Sequence, residues 1–282
     1  MKSYTERHIH RSELFQLILL QHLYGHAESR GLIFQGGTAI RWCHGGERFS
    51  EDLDFVTHSK QSELLGLLNA MEGAVTRESI AHFGSGRLTV TPRGQGDLRS
   101  VWRVAFEPLN LRERIMVKVE CERLKDNVKL LTEPRVLGMQ SAVSYLIGRG
   151  EFRIPRPNSV MVVETPQEIL SDKVRALLER PYLKGRDIYD VWHLRVRLGV
   201  GVVREIVERK FSCYAAPFTL RRKPEAFETN SPEVIEALEN DLVRFLPPEA
   251  MAACRLDKYA SFHDALRRLF LELRQSGVRI PG

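Results

Sequence analysis

The sequence lacks the features that mark membrane-spanning, disulfide-rich and zinc-binding proteins. Its 282 residues include only four cysteines and no CxxC pair, so neither a zinc knuckle nor a disulfide framework is expected. No apolar run reaches the roughly 18 residues that a membrane span needs. The opening residues also lack the apolar segment of a secretory signal. These absences favour a globular protein of the reducing cytoplasm, with one large domain or two modest ones.

The chain also has only a small net charge. The chain carries 42 basic and 36 acidic residues, a net charge of +6, which is no nucleic-acid signature by itself. Basic residues cluster at 87–103 and 204–223, and the second stretch contains Phe211, Tyr214 and Phe218. Such a mixture suits phosphate contacts and base stacking. A solvated basic surface over core aromatics is the alternative.

The apolar pattern separates a mixed first half from a helical second half. The predicted segments are helices at 12–29, 38–43 and 62–82, the first capped by Ser12, and strands at 31–35 and 53–57. Alternating segments separated by Gly, Pro and Asp predict further strands between 86 and 124. The pattern is helical after about residue 165. We therefore predict an α/β domain over 1–163 and a helical domain over 164–282.

Two helices of the second half can be placed more closely. Residues 165–168 (TPQE) offer an N-cap, a proline at the first helical position and a glutamate at the capping-box position. They predict a helix to about residue 180. A second helix is predicted from about 186 to 198, with Leu194 and Leu198 in its apolar arc.

Three charged residues fall on or beside the apolar arcs of these helices. Lys173 lies within the first arc, Asp187 lies within the second, and Asp190 lies at its edge. A buried charge is costly unless it is paired or bound to a ligand. The pattern therefore indicates either a structural lysine–aspartate pair or a functional site.

The stretch GGTAIRWCHGGERFSEDLDF, residues 36–55, carries the strongest chemical signal. Gly36 and Gly37 follow a predicted strand and precede a helix, where backbone N–H groups can approach a phosphate. Asp52 and Asp54 are two apart on a predicted strand, so their side chains point to one face. Paired carboxylates select Mg²⁺ or Mn²⁺, the ions that nucleotidyl transfer uses.

A third carboxylate usually completes such a site. In the predicted strand at 114–121, the apolar residues alternate with Met116, Lys118 and Glu120. Lys118 and Glu120 would share the face opposite the core. Glu120 is the candidate third metal ligand, and an ordinary solvent-facing strand is the alternative.

These motifs, in this order, resemble the AbiEii/AbiGii-type nucleotidyltransferase toxins. The resemblance is carried by GGTA at 36–39, RFSEDLDF at 48–55, Lys173 in its helix and RDIYD at 186–190. It covers about residues 30–200. It implies a DNA-polymerase-β-like nucleotidyltransferase core with a mixed sheet, an α/β (α+β) fold, followed by a mainly helical part. The chain departs from the usual Gly-Ser signature, having Gly-Gly-Thr instead.

The resemblance also assigns roles to single residues. The residues implied for nucleotide binding are Gly36, Gly37, Thr38, Arg48, Ser50 and Lys173. Those implied for catalysis are Asp52, Asp54, Lys173, Asp187 and Asp190. Of these, Asp52 and Asp54 are implied to hold the metal ion. Glu120 is added as a metal ligand because of its strand position and not because of the resemblance. Ser50 matches a serine that a cognate antitoxin phosphorylates in some members.

The expected activity is a Mg²⁺-dependent transfer of NMP from NTP, with pyrophosphate released. In MenT-like members the acceptor is the tRNA 3′ end and the nucleotide is often a pyrimidine. We therefore expect a cytoplasmic toxin with tRNA as acceptor, a cognate antitoxin as partner, no membrane association, and a monomer as a plausible state. Transfer to a protein side chain or small molecule, and a non-catalytic nucleotide- or RNA-binding module, are the alternatives.

Overall fold

The computed structural model describes residues 5–282 apart from 95, 97, 111–112, 156–158 and 230. Its strands are β1 (Leu32–Gln35), β2 (Asp52–Thr57), β3 (Gly86–Gly94), β4 (Arg99–Pro108), β5 (Ile115–Arg123), β6 (Thr132–Val136) and β7 (Val160–Glu164). Its helices are α1 (Glu6–Leu23), α2 (Gly36–Cys43), α3 (Gln61–Phe83), α4 (Ser141–Gly148), α5 (Pro166–Glu179), α6 (Gly185–Trp192), α7 (Arg204–Lys210), α8 (Pro232–Leu242), α9 (Pro248–Leu256) and α10 (Ala260–Gln275).

The strands form one mixed sheet in the order β3-β4-β5-β2-β1-β7-β6, which confirms the predicted fold class. β2 runs parallel to β5 and antiparallel to β1, so the predicted carboxylate strand lies at the centre of the sheet. The edge strands β3 and β6 contain Pro92 and Pro134. Proline cannot donate to a strand ladder and is tolerated at sheet edges.

The first helix is buried along most of its length. α1 begins after Thr5, so Ser12 is no N-cap: it lies inside the helix and is itself buried. The helix ends at Leu23, and a short 3₁₀ turn covers 27–31, which corrects the predicted span of 12–29. The error arose because the charged first turns, around Arg7 and Arg11, lack apolar periodicity.

The two predicted helices of the second half are present, with two corrections. Thr165 caps α5 by accepting a hydrogen bond from the Glu168 backbone N–H, as expected. The Glu168 side chain does not complete a capping box but accepts from the Leu131 N–H at 2.8 Å. The second helix changes to a π-helical turn at 193–197, which rotates the following residues, so Leu198 is 42% exposed rather than in the arc.

Several elements near the predicted domain boundary were not foreseen. β6, α4 and β7 fall in a segment for which we predicted no structure, and β7 spans the predicted division at 163/164. Past Glu164 every regular element in the described ranges is helical. The division into two domains stays a prediction.

The basic and aromatic stretch at 204–223 is not a base-stacking surface. Phe211 and Tyr214 are buried, and Phe218 packs against the core. Lys210 is buried as well and is paired with carboxylates. The alternative of core aromatics under a basic surface is the correct one for these side chains.

All four cysteines are free, as expected. Cys43, Cys121 and Cys213 are buried, and Cys254 is partly so. Burial raises the pKa of the Cys43 thiol to about 12, so it is no reactive thiolate. Across the described ranges, no helix combines the length and the apolarity needed to cross a bilayer.

Candidate active site

A cavity of about 400 Å³ opens over the central strands of the sheet. Its walls come from the β1–α2 turn, from β2 and β5, and from the helices α5 and α6. The predicted site residues that line it are Gly36, Gly37, Arg48, Ser50, Asp52, Asp54, Glu120, Lys173 and Asp187. Residues more than 130 positions apart in the printed sequence thus meet in one place.

The carboxylates stand side by side because of the strand register. β2 and β5 pair Asp52 with Lys118 and Asp54 with Glu120, so these four side chains lie on one face of the sheet. Lys118 Nζ lies 2.9 Å from Asp52 Oδ2 and also pairs with Glu120. Glu120 is held in addition by Arg99 from β4. A single lysine therefore links the predicted metal ligands of two strands.

Asp54 is partly buried beside a second negative charge. Burial raises its pKa, and the neighbouring charge of Asp52 raises it further. The cations Lys118, Lys173 and Arg186 act in the opposite direction without cancelling that shift. A divalent cation placed between the two aspartates would relieve this repulsion.

The chemistry of Asp52 and Asp54 fits such a cation, since hard carboxylate oxygens are what Mg²⁺ and Mn²⁺ bind. Across the described residues, no three acidic, histidine or cysteine side chains already surround a metal position. Glu120 is engaged by Lys118 and Arg99. Its part as a third ligand stays a prediction.

A buried network of charges forms the opposite wall of the cavity. Arg48 donates two hydrogen bonds to Asp190, Nε to Oδ1 and Nη2 to Oδ2, each of 2.7 Å. Lys173 Nζ lies 2.7 Å from the same carboxylate and 2.8 Å from Asp187 Oδ1. Arg180 pairs with the other oxygen of Asp187. The lysine–aspartate pair that the sequence offered as the structural alternative is therefore present. It belongs to a network that also faces the cavity.

The pKa shifts in this network show that pairing outweighs burial. Burial opposes the charged form of Lys173, yet the charges of Asp187 and Asp190 raise its pKa overall. Burial also opposes ionisation of both aspartates, but Lys173 and the arginines hold their pKa values below the usual range. All three groups are ionised at neutral pH, so Lys173 presents a fixed positive charge to the cavity.

The glycine pair stands where the chain must pass close to these groups. Gly36 has a φ of +77°, a left-handed conformation that favours glycine, and opens α2 toward the cavity. A Cβ on Gly37 would overlap the Arg48 guanidinium. Both glycines therefore allow a close backbone approach, as the sequence suggested.

Two predicted residues lie behind the cavity wall. Thr38 is fully buried, and its hydroxyl is hydrogen-bonded to the Ser50 hydroxyl at 2.8 Å and to the Asp52 carbonyl. Asp190 reaches the cavity only through Arg48 and Lys173. In the described part of the chain, neither residue is among those that line the cavity.

Sequence reasoning assigned no role to several cations at the site. Lys118, Lys184 and Arg186 line the cavity, and Arg99 reaches it from β4. The sequence predicted that Lys118 and Glu120 share one face of a strand. The ion pair between Lys118 and Asp52 depends on the pairing of β2 with β5, which the sequence did not predict. Lys184 precedes α6 and has no periodic pattern that would have indicated its position.

Comparisons with known proteins show the family and the fold of the chain. The model of the family described as nucleotidyl transferase AbiEii toxin, type IV TA system, matches residues 18–268. A candidate nucleotidyltransferase from H. pylori is similar in structure, with a TM-score of 0.55 and 16% identity over 96% of this chain and 98% of that one. JHP933 from Helicobacter pylori is similar as well, with a TM-score of 0.54 and 16% identity over 98% of this chain and 97% of that one. At that identity these two likenesses show the fold alone. No curated protein matches the sequence.

Proposed function

The chain belongs to the AbiEii family of nucleotidyltransferase toxins of type IV toxin–antitoxin systems, and we propose that it transfers NMP from NTP to the 3′ hydroxyl of tRNA and releases pyrophosphate. The nucleotide we propose is a pyrimidine, as in the MenT-like members that the sequence resembles. The observation that carries the proposal is the meeting of the glycine pair, the aspartate pair and Lys173 in one cavity.

Each wall of the cavity has a part in this proposal. The backbone at Gly36 and Gly37 and the charges of Arg48 and Lys173 bind the triphosphate. Asp190 positions both cations, since its carboxylate is bonded to each of them. Rigid charges of this kind need no reorganisation as negative charge moves onto the leaving pyrophosphate.

The aspartates supply the other half of the proposed mechanism. Asp52 and Asp54 would hold Mg²⁺ or Mn²⁺, with Glu120 as a further ligand, and the bound ion would lower the pKa of the acceptor hydroxyl and neutralise phosphate charge. Lys118 now links Asp52 and Glu120. With these carboxylates holding an ion, Lys118 would be available to pair with the phosphates instead.

A label-transfer assay tests this activity. The protein is incubated with Mg²⁺, each α-labelled NTP in turn, and total bacterial RNA and protein. We expect label in a tRNA-sized band with CTP or UTP, and its loss in Asp52→Ala. Label in a protein band would move the acceptor to a side chain. Label with purines alone would contradict the pyrimidine assignment, and nucleotide binding without labelled product would favour a binding module.

Regulation by the antitoxin is proposed to act at Ser50. Ser50 lines the cavity together with Arg48, and it lies two residues before Asp52 in the sequence. A phosphate there adds about −1.5 to −2 charges next to the metal-binding carboxylates, which would repel NTP and metal alike. A Ser50→Asp variant should lose transfer and toxicity, whereas Ser50→Ala, which adds no charge, should lose much less of both. Retention of full activity in Ser50→Asp would contradict this mechanism.

The cellular setting is proposed on the same basis. The family implies an antitoxin as partner. A tRNA acceptor and four free cysteines suit the reducing cytoplasm. We propose that the protein acts there as a monomer, which size-exclusion chromatography with light scattering would test.

A further inference from the structure

A second cavity, of about 700 Å³, adjoins the first. It lies between β4 and β5 on one side and α8 with the segment 182–186 on the other. The two cavities share Asp52, Lys118, Lys184 and Arg186 in their walls. A molecule in the second cavity would therefore reach the predicted metal-binding aspartate from a direction separate from the glycine pair.

The acids of the second cavity are mostly engaged within the protein. Glu51 pairs with Arg244 at 3.1 Å, and Glu233 pairs with Arg222 at 2.7 Å. Asp241 accepts the backbone N–H of Arg186 at 3.1 Å. These contacts reduce the repulsion that the wall would offer to an anion.

Three cations of the same wall have no such engagement. Within the described ranges, the side chains of Arg103, Lys184 and Arg186 form no ion pair. Burial, followed by the charges of Arg180 and Arg186, lowers the pKa of Lys184 to about 8. The wall holds five acids and five cations, but Arg103 and Lys184 have no carboxylate partner among the described residues, so a bound anion would be free to pair with them.

The wall also carries exposed apolar side chains. Tyr182 is 63% exposed, and Met116 is 37% exposed. Lys184 Nζ lies 6.0 Å from the centroid of the Tyr182 ring. An exposed aromatic ring beside free cations suits single-stranded nucleic acid, whose bases stack on aromatic faces while its phosphates need cations. A polypeptide acceptor offers no phosphates to those cations.

We propose that the second cavity holds the 3′-terminal nucleotides of the acceptor RNA, with a backbone phosphate at Arg103, another at Lys184, and a base stacked on Tyr182. This inference rests on the proposed function. The 3′ oxygen of the strand then forms a bond to the α-phosphorus of the NTP in the first cavity. The bond from that phosphorus to pyrophosphate breaks, and the hydroxyl proton passes to solvent.

RNA binding measured without turnover tests the proposal. The probe is a 5′-fluorescein single-stranded RNA of eight nucleotides, followed by fluorescence anisotropy at several salt concentrations. Arg103→Ala should weaken binding several-fold and reduce the slope of log K against log salt by about 0.7, the value for one lost phosphate contact to a single strand. Tyr182→Ala should weaken binding about fivefold or more with an unchanged slope.

Arg87→Ala is the matched control, because Arg87 is an exposed arginine on the neighbouring β3 that lines neither cavity. It should change neither the affinity nor the slope. Binding of a non-hydrolysable NTP analogue, measured by calorimetry, should be the same in Arg103→Ala, Tyr182→Ala and wild type.

The outcomes separate this inference from the proposed function. Equal RNA binding by wild type and both variants, or no RNA binding by wild type, would overturn the assignment of the cavity. Tighter binding of an acidic peptide, with the same sensitivity to Arg103→Ala, would overturn it in favour of a protein acceptor. RNA binding that responds as expected, without NMP transfer to any RNA, would sustain the RNA-binding cavity and refute the activity.

Discussion

Two buried lysines hold two charge networks in this protein, and the networks differ in what surrounds them. Lys173 is 8% exposed and faces the active-site cavity, with Asp187 and Asp190 as partners. Lys210 is 0% exposed. It lies 2.7 Å from both Glu164 and Asp172, and 3.1 Å from Glu168.

The distribution of ion-pair partners distinguishes Lys173, for which we propose a functional role, from Lys210, for which we propose a structural one. Each aspartate at Lys173 has a second cation, Arg180 for Asp187 and Arg48 for Asp190. Glu164, by contrast, pairs with Lys210 alone among the described residues. Removing Lys210 would therefore leave Glu164 without a cation, whereas Glu168 would keep Arg209 and Asp172 would keep the Tyr214 hydroxyl. Lys173 is held in place by Asp187 and Asp190. Each of these aspartates would keep an arginine partner if the lysine were removed.

The largest effect is expected from Lys210→Met. Removing one partner of a buried network leaves unpaired charge, which costs about 3–5 kcal/mol of the free energy of unfolding. Urea denaturation measures it, with Lys129→Met, an exposed lysine, as control. NMP transfer per folded molecule should change less than about threefold. A variant as stable as wild type would contradict a structural role for Lys210.

Lys173→Met should show the reverse pattern. Transfer should fall by about 100-fold or more, the usual cost of losing one preorganised charge at a transition state. The free energy of unfolding should fall by only about 1 kcal/mol, because both aspartates keep an arginine. Equal losses of stability in Lys173→Met and Lys210→Met would remove the distinction between the two networks.

A smaller effect is expected from Gly37→Ala. The new methyl group overlaps the Arg48 guanidinium, which Asp190 holds by two hydrogen bonds. Displacing either group should raise KM for NTP by about tenfold, roughly 1.4 kcal/mol. Gly66→Ala is the control, since a Cβ there meets nothing within 4 Å. An unchanged KM in Gly37→Ala would show that the turn accommodates a side chain.

The smallest effect concerns Lys184, which lines both cavities and forms no ion pair with a carboxylate of the described residues. Its pKa is about 8, lowered first by burial and then by Arg180 and Arg186, with Lys118 adding to them and Asp187 opposing them. It is charged below that pH and neutral above it. RNA affinity should therefore fall about threefold between pH 7 and pH 9, measured by anisotropy without NTP. Lys184→Arg should show a weaker dependence, because arginine keeps its charge. An identical pH dependence in both proteins would exclude Lys184 as the source.

Local patterns predicted much of the fold and part of the site. The glycine pair, the alternating Asp52 and Asp54, and the buried Lys173 were all visible, because strand and helix periods fix which face a residue takes. The family match over 18–268 confirms the resemblance that these motifs indicated.

The remaining features depend on pairings that a single sequence does not reveal. The contact between Lys118 and Asp52 needs the register of β5 against β2, and these residues are 66 positions apart in the printed sequence. Lys210 lies on a helix of seven residues, too short to show a clear apolar arc. β6 is short, polar and contains a proline, so it lacks the alternation that predicts a strand.

The bond between Arg48 and Asp190 joins residues that are 142 positions apart, and this has a consequence for synthesis. A ribosome adding about 5–20 residues per second produces the aspartate strand on the order of ten seconds before it produces Asp190. Phe245, whose carbonyl accepts a hydrogen bond from the backbone N–H of Phe49, is made later still. In a nascent chain, the Arg48 guanidinium therefore lacks the carboxylate that holds it in the finished protein until Asp190 has been made. The charged wall of the cavity can therefore form only late in synthesis, after most of the chain has been made.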